Sequence, residues 1–209
     1  MINKLSYIRM TGVSKRIKDR YVLSNINLSF EKGKIYGIVG INGSGKTMLL
    51  RAIAGLLHLT EGTVEYADGT PTMGVIIENP GFLMNYSGYE NLKILARIRN
   101  VIGDTEIKKA LTLVGLDSGD KSKVKTYSLG MKQKLAIAQA IMEEPNILIL
   151  DEPFRGLDSD SIKNIRSVLK DYNQRGGTIF LTSHDSEDIK TLCDYVYQMQ
   201  EGKAAEMHV

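Results

Sequence analysis

Gly40-Ile41-Asn42-Gly43-Ser44-Gly45-Lys46-Thr47 decides the reading of this chain, because it spells G-x-x-x-x-G-K-T in full. The apolar run Ile35-Tyr36-Gly37-Ile38-Val39 precedes it, and apolar residues at helical spacing follow it (Met48, Leu49, Ala52, Ile53, Leu56). A strand, a glycine turn and a helix in that order make a phosphate-binding loop. The glycines let the backbone wrap so that its N–H groups point at a β-phosphate, and the helix N-terminus adds its positive end. Lys46 has the length to reach the β- and γ-phosphates, and the Thr47 hydroxyl is a ligand for Mg²⁺. A chance glycine turn ahead of a helix is the competing reading, and the correct flanking elements count against it.

Outward from the loop, residues 6–10, 22–30 and 34–39 read as strands, and the helix after the loop is expected to run to about Leu57. Residues 63–66 and 73–77 read as further strands. From 79 to 144 the character becomes helical, with helices expected over 90–100, 104–114 and 128–143. The last third alternates again: strand 146–150, helix 158–172, strand 178–182, helix 186–193 and a closing strand 195–200. Gly176-Gly177 marks the turn between helix and strand. The pattern predicts a mixed sheet built around the phosphate loop, with a helical lobe inserted in the middle.

With 209 residues, 43% apolar and 24% charged, the chain has the composition of a soluble globular protein able to bury a core. Its 27 basic and 24 acidic residues nearly balance, so nothing in the charge points to nucleic acid. The single cysteine, Cys193, excludes an internal disulfide and reads as a buried small hydrophobe. The apolar runs are strand-sized, and residues 1–5 lack a signal core, so a cytoplasmic location is expected.

A phosphate loop alone does not say what the bound energy is for. The second element is Ile147-Leu148-Ile149-Leu150-Asp151-Glu152-Pro153, a buried strand ending in two carboxylates. Asp151 is placed to reach a Mg²⁺ shell, and Glu152 to polarise a water against a γ-phosphate. The third is Tyr127-Ser128-Leu129-Gly130-Met131-Lys132-Gln133. Ser128 caps a helix there; the segment is either an anion site at a helix start or simply a well-capped helix. The fourth is His184, just beyond the strand 178–182, where ligands of α/β sheets bind, although a lone histidine after a strand is more often structural.

In this order the four elements resemble the ATP-binding cassette (ABC) family over essentially the whole chain. Gly40–Thr47 matches Walker A, residues 127–131 the signature, Asp151 the end of Walker B, Glu152 the catalytic glutamate, Gly156-Leu157-Asp158 the D-loop and His184 the switch histidine. The resemblance implies an α/β P-loop NTPase of ABC ATPase type, with a mixed β core, an N-terminal antiparallel β subdomain and an inserted helical subdomain. Residues 1–78 and 145–209 would form the nucleotide-binding core and 79–144 the insertion. It implies ATP held by Gly40, Ile41, Asn42, Gly43, Ser44, Gly45, Lys46, Thr47 and Met48, and Mg²⁺ held by Thr47, Asp151 and Glu78. It also implies a head-to-tail pair, homodimer or heterodimer with a second ABC subunit, in which Ser128 and Gly130 meet the ATP of the other subunit. The expected partner is a separately encoded transmembrane permease, holding the chain at the inner face of the cell membrane; no nucleic acid is expected.

Three departures from the family pattern carry information. Glu78 stands where the family usually has glutamine, and with Ile77-Glu78-Asn79-Pro80-Gly81-Phe82 and Tyr89-Glu90-Asn91-Leu92 it resembles the bacitracin and lantibiotic exporter branch. Leu129 replaces a signature glycine, and its side chain is expected to pack inward. The usual base-stacking tyrosine position falls on Ile17, with Tyr21 the nearby ring. The reading is therefore an ATP-hydrolysing transporter subunit in which Lys46, Glu152 and His184 carry the chemistry. Phe82, Leu83, Met84, Tyr86 and Tyr89 would dock the permease, or else form a loop folded on its own core. A soluble ABC-type mechanical ATPase without a permease is the alternative, along with a regulatory module that does not turn over.

Overall fold

Strands buried on both faces need unbroken apolar runs, and the three runs at 35–39, 147–150 and 178–182 become the centre of one sheet. The computed structural model describes residues 6–78 and 81–207. Residues 1–5, Asn79 and Pro80 of the Glu78 segment, and 208–209 lie outside the described residues. In chain order the strands are β1 (Ile8–Ile17), β2 (Arg20–Phe30), β3 (Ile35–Val39), β4 (Glu61–Tyr66), β5 (Met73–Ile76), β6 (Ile147–Leu150), β7 (Thr178–Thr182), β8 (Tyr195–Gln200) and β9 (Lys203–Met207). The helices are α1 (Lys46–Ile53), α2 (Gly88–Arg99), α3 (Asp104–Leu113), α4 (Leu129–Ile141), α5 (Ser159–Gln174) and α6 (Ser186–Leu192).

The larger sheet runs β5-β6-β7-β3-β8-β9, parallel throughout except for the antiparallel edge pair β8–β9. A smaller antiparallel sheet, β2-β1-β4, holds the N-terminal strands. The period-two alternation of side chains divides each central strand between two cores. Leu148, Leu150, Ile179 and Leu181 face helices α4 and α5. Ile147, Ile149, Tyr36, Ile38 and Phe180 face α1 and the small sheet. There Phe30 sits edge-on to both Tyr36 and Phe180, with ring centroids 4.9 Å apart in each pair.

Helices α2, α3 and α4 fall between β5 and β6, and α4 buries Leu135, Ala136, Ile137 and Ala138 in the core it shares with β6. Helix and strand approach closely because Gly74 on β5 has no side chain: a Cβ there would collide with the Ala140 carbonyl of α4. Capping is local. Ser87 and Glu90 close a capping box on α2, and Asp158 caps α5 by accepting from Ser161 N–H at 2.8 Å.

The largest departures from expectation are two element ends and one added strand. Strand β1 continues to Ile17, well past residue 10, through register shifts after Met10 and Val13 that break its alternation. Helix α1 stops at Ile53, with Gly55 at φ 69°, instead of reaching Leu57. Strand β9 was not expected; it pairs with β8 across the two-residue turn Glu201-Gly202, both at positive φ (49° and 77°).

Candidate active site

Parallel strands deliver their following loops to one edge, so β3, β6 and β7, adjacent in the sheet, converge the residues after Val39, Leu150 and Thr182. The loop after β3 must curl tightly. Gly40, Gly43 and Gly45 take φ of 149°, 78° and 110°, and a Cβ on Gly40 would lie 2.7 Å from Ser44 Oγ. Lys46, 8% exposed, donates from Nζ to the carbonyls of Gly40 (2.8 Å) and Ile41 (3.3 Å). No carboxylate lies within ion-pair distance of it among the described residues; its hydrogen-bond acceptors are both neutral carbonyls, and Glu152 is the carboxylate that senses its charge. Ser44 Oγ is likewise buried without a hydrogen-bond partner among the described residues.

The carboxylates after β6 join that loop. Thr47 Oγ1 donates to Asp151 Oδ2 at 2.7 Å. Thr182 Oγ1 donates to Asp151 Oδ1 at 2.6 Å and accepts from the Glu152 N–H at 2.8 Å. His184 Nε2 lies 3.2 Å from Glu152 Oε1, near enough for an ion pair yet out of line for a hydrogen bond, so Oε1 has no hydrogen-bond partner among the described residues. Glu152 itself is held at φ 52°, a strained left-handed conformation for a side chain of this kind. Its carboxyl is pushed above the usual carboxylate range chiefly by burial and further by Asp151, against the opposing pull of His184 and Lys46.

The donors fit a nucleotide and a hard divalent cation. A buried ammonium without a counter-ion, an orphaned hydroxyl and a glycine-lined cradle call for phosphate oxygens. Thr47 and Asp151 supply oxygen ligands only, and no group of three or more His, Cys, Asp or Glu able to hold a metal occurs among the described residues. A cation here would take its remaining ligands from phosphate and water, as Mg²⁺ does.

Other expected residues fall elsewhere. Ser128 Oγ accepts from Met131 N–H at 3.1 Å, and no hydrogen bond among the described residues joins Ser128 or Gly130 to the phosphate loop. Leu129 does not pack inward: it is 57% exposed and lies against the Gly156 backbone, because the first residue of α4 points away from the core that α4 covers later. Glu78 does not reach the Thr47–Asp151 pair. Its Oε1 sits 2.7 Å from Arg51 Nη2, a charge-assisted contact one helical turn beyond Thr47. Ile17 and Tyr21 flank the β1–β2 turn, both exposed, and the Tyr21 hydroxyl contacts Glu61 Oε1 at 3.2 Å. Met48 is partly buried against the core beneath the small sheet. Cys193 lies against Gly37, its thiol pushed up to about 12 by burial.

Residues 23–155 match the ABC transporter family. The chain belongs to that family. An ABC transporter ATP-binding protein of Bacillus subtilis (strain 168), YybJ, is 44% identical over 204 residues, 94% of each chain. The bacitracin transport ATP-binding protein BcrA of Enterococcus faecalis is 43% identical over 209 residues, covering 95% of this chain and 68% of its own. The lantibiotic transport ATP-binding protein SrtF of Streptococcus pyogenes is 34% identical over 202 residues, covering 94% of this chain and 88% of its own. A solved dimeric bacterial ABC transporter cassette shares the fold, with a TM-score of 0.86 at 24% identity over 97% of this chain and 99% of that one. As an ABC cassette the chain is an ATP-binding, ATP-hydrolysing subunit, and no helix among the described residues is long and apolar enough to cross a membrane.

Thr182 is a site residue that sequence reading missed. Its hydroxyl, wholly buried, ties Asp151 to the Glu152 backbone. Thr182→Val keeps the shape and strands both partners, so it should destabilise the fold by about 1–3 kcal/mol per unsatisfied group and lower turnover. Urea unfolding and ATPase rates will check this, with Thr182→Ser retaining both.

Proposed function

We propose that this chain is the motor subunit of a bacterial exporter of peptide antibiotics, working as a pair of cassettes beneath a separately encoded permease. The observation that carries the reading is the hydrogen-bonded chain Thr47–Asp151–Thr182–Glu152, with Lys46 and His184 beside it, at one edge of the parallel sheet. Nothing in it recognises a sugar, peptide or base; every group addresses phosphate, metal or water. Thr47 and Asp151 would hold Mg²⁺, which supplies neutralising charge at the transferred phosphoryl group.

The chain's own residues then divide the work. Lys46 leaves the Gly40 and Ile41 carbonyls for the β- and γ-phosphates. Glu152, ionised, accepts a proton from the water whose oxygen bonds to the γ-phosphorus as the bridging P–O bond breaks, giving ADP and phosphate. His184, next to Glu152 Oε1, steadies the γ-phosphate. Ser128 and the free N–H groups at the start of α4 serve the nucleotide of the opposite cassette, whether that cassette is a second copy or a different ABC subunit.

Relatives named for bacitracin and lantibiotic transport support the cargo class. The permease contact is the segment after Glu78. Leu83, Met84 and Tyr86 are exposed there, beside a cleft of about 600 Å³ lined by Tyr86, Tyr89, Lys108, Lys121 and Lys123. Phe82 and Tyr89 are anchored against the core and hold the segment in place. Glu78, held by Arg51 one helical turn beyond Thr47, leads into this segment and is the residue to relay permease movement to α1.

For the base, Tyr21 is the better candidate ring. Gly45 of the phosphate loop approaches the neighbouring Val22 carbonyl so closely that a Cβ would lie 2.7 Å from it. Tyr21→Ala should weaken ATP binding by about 1 kcal/mol or more, the worth of one base stacked on an aromatic ring, while Ile17→Ala changes little; fluorescent-nucleotide titration will compare them. The functional reading as a whole is tested by vanadate-sensitive ATPase activity of the purified chain, with and without the permease in liposomes. Stimulation by the permease supports it, and turnover indifferent to any membrane partner returns the chain to the soluble ATPase alternative.

A further inference from the structure

Behind the switch histidine lies a buried ionic relay to which the chemistry above gives no role. Asp188 of α6 is 2% exposed. Its Oδ1 accepts from Nε (2.9 Å) and Nη2 (2.6 Å) of Arg166, which reaches across from α5. Its Oδ2 accepts from Ser183 Oγ at 2.7 Å. The same Ser183 oxygen accepts from the Asp185 N–H at 3.1 Å. His184 is the residue between these two anchored positions.

The imidazole has little else to hold it. More than half of the His184 side chain is exposed, it makes no hydrogen bond among the described residues, and Glu152 Oε1, at ion-pair distance, is out of line for one. Its direction is therefore set by the backbone on either side, and that backbone is pinned through Ser183 to Asp188. A carboxylate this buried is tolerable only when paired. Arg166 supplies the pairing through two N–H groups converging on one oxygen, which a lysine ammonium cannot reproduce. The outer contact, Arg166 Nη1 to the exposed Glu187 at 3.1 Å, lies in solvent and adds little.

We propose that Arg166 is a positioning residue for His184, acting through Asp188 and Ser183 to aim the imidazole at the γ-phosphate. The inference rests on the assignment of His184 to that phosphate. It also gives α5, capped by Asp158 at its start, a mechanical tie to the switch histidine about 12 Å along its axis.

The test compares Arg166→Lys and Ser183→Ala with the unmodified chain in three measurements. Ser183→Ala cuts the relay without stranding a buried charge, so it remains informative should Arg166→Lys fail to fold. Hydrogen exchange on the nucleotide-free protein should show the Asp185 amide exchanging faster in both variants, with β7 amides unchanged. Turnover should fall by about 10- to 100-fold, as for a misplaced catalytic group, with KM for ATP within about twofold. In a His184→Ala background neither variant should lower kcat further.

Equal losses with and without His184, a raised KM at unchanged kcat, or an unmoved Asp185 amide would each overturn the proposal. Full turnover of His184→Ala alone would instead remove the assignment of His184 to phosphate. The exchange measurement would still decide whether Arg166 holds the segment.

Discussion

Replacing Glu152 by glutamine should stop turnover while leaving the folded protein more stable at neutral pH. The amide keeps the shape of the carboxylate but cannot take a proton from water, and loss of a general base costs about 10²- to 10⁴-fold. ATP should still bind, because Lys46, Thr47 and Asp151 are untouched, so the variant should accumulate as an ATP-bound pair of cassettes on size-exclusion chromatography. The stability gain follows from the direction of the Glu152 shift. Its carboxyl is raised in the folded protein, chiefly by burial, so the folded state binds this proton more tightly than the unfolded chain does. That difference destabilises the protein once pH exceeds the unfolded pKa, and its full cost is present above the folded value. Glutamine carries no such cost. Its advantage in melting temperature should therefore be seen at pH 7 and vanish at pH values below the ordinary carboxylate range. The same titration gives the unmodified enzyme an acid limb, with kcat/KM falling as Glu152 of the nucleotide-free protein becomes protonated at a pH above that of an ordinary glutamate. A Glu152→Gln protein that hydrolyses ATP at more than a tenth of the normal rate would remove Glu152 from the chemistry.

The parts of this site that follow a strand were readable because burial on both faces leaves an unmistakable apolar run. Ile147–Leu150 and Thr178–Thr182 carry no alternation, and the polar residues after each stand out against them. Thr182 was hidden by the same logic. A threonine at the end of such a run reads as a β-branched filler, and only the pairing of Leu150 with Leu181 places its hydroxyl beside Asp151. Arg166 was hidden in a helix whose apolar positions, Ile165, Val168 and Leu169, account for its core face. Nothing local says that one of its charged residues is buried by a different helix. Leu129 misleads because turning its side chain away from a phosphate at the helix start does not require turning it into the core; at the first residue of α4 it points outward instead. Strand β9 left a local trace that could have been used: Glu201-Gly202 after an alternating strand is a two-residue hairpin turn. Its own residues, Lys203 to Met207, are mostly exposed and give no apolar period.

Lys46→Ala should remove nucleotide binding while sparing the nucleotide-free fold. Without nucleotide the ammonium is buried on two backbone carbonyls, with no carboxylate at ion-pair distance among the described residues and Glu152 acting on it only from farther away. A charge in that position contributes little to stability, since its desolvation is only partly offset by neutral acceptors. Its removal should leave the melting temperature without ATP nearly unchanged. The picture inverts when a triphosphate occupies the loop. Opposite unit charges about 4 Å apart are worth up to about 4 kcal/mol at an effective dielectric near 20. With about 1.4 kcal/mol per tenfold, the loss of affinity should lie between about 100- and 1,000-fold. The separation of the two effects is what identifies the role. Saturating ATP at about 100 times its Kd should stabilise the unmodified protein by about 2.7 kcal/mol, and the Lys46→Ala protein at the same concentration should show almost none of that shift. Thermal melts with and without Mg-ATP make the comparison directly. An equal ATP-induced shift in both proteins would mean that the phosphates are held by the loop backbone alone, and that Lys46 is a structural tie between Gly40 and α1.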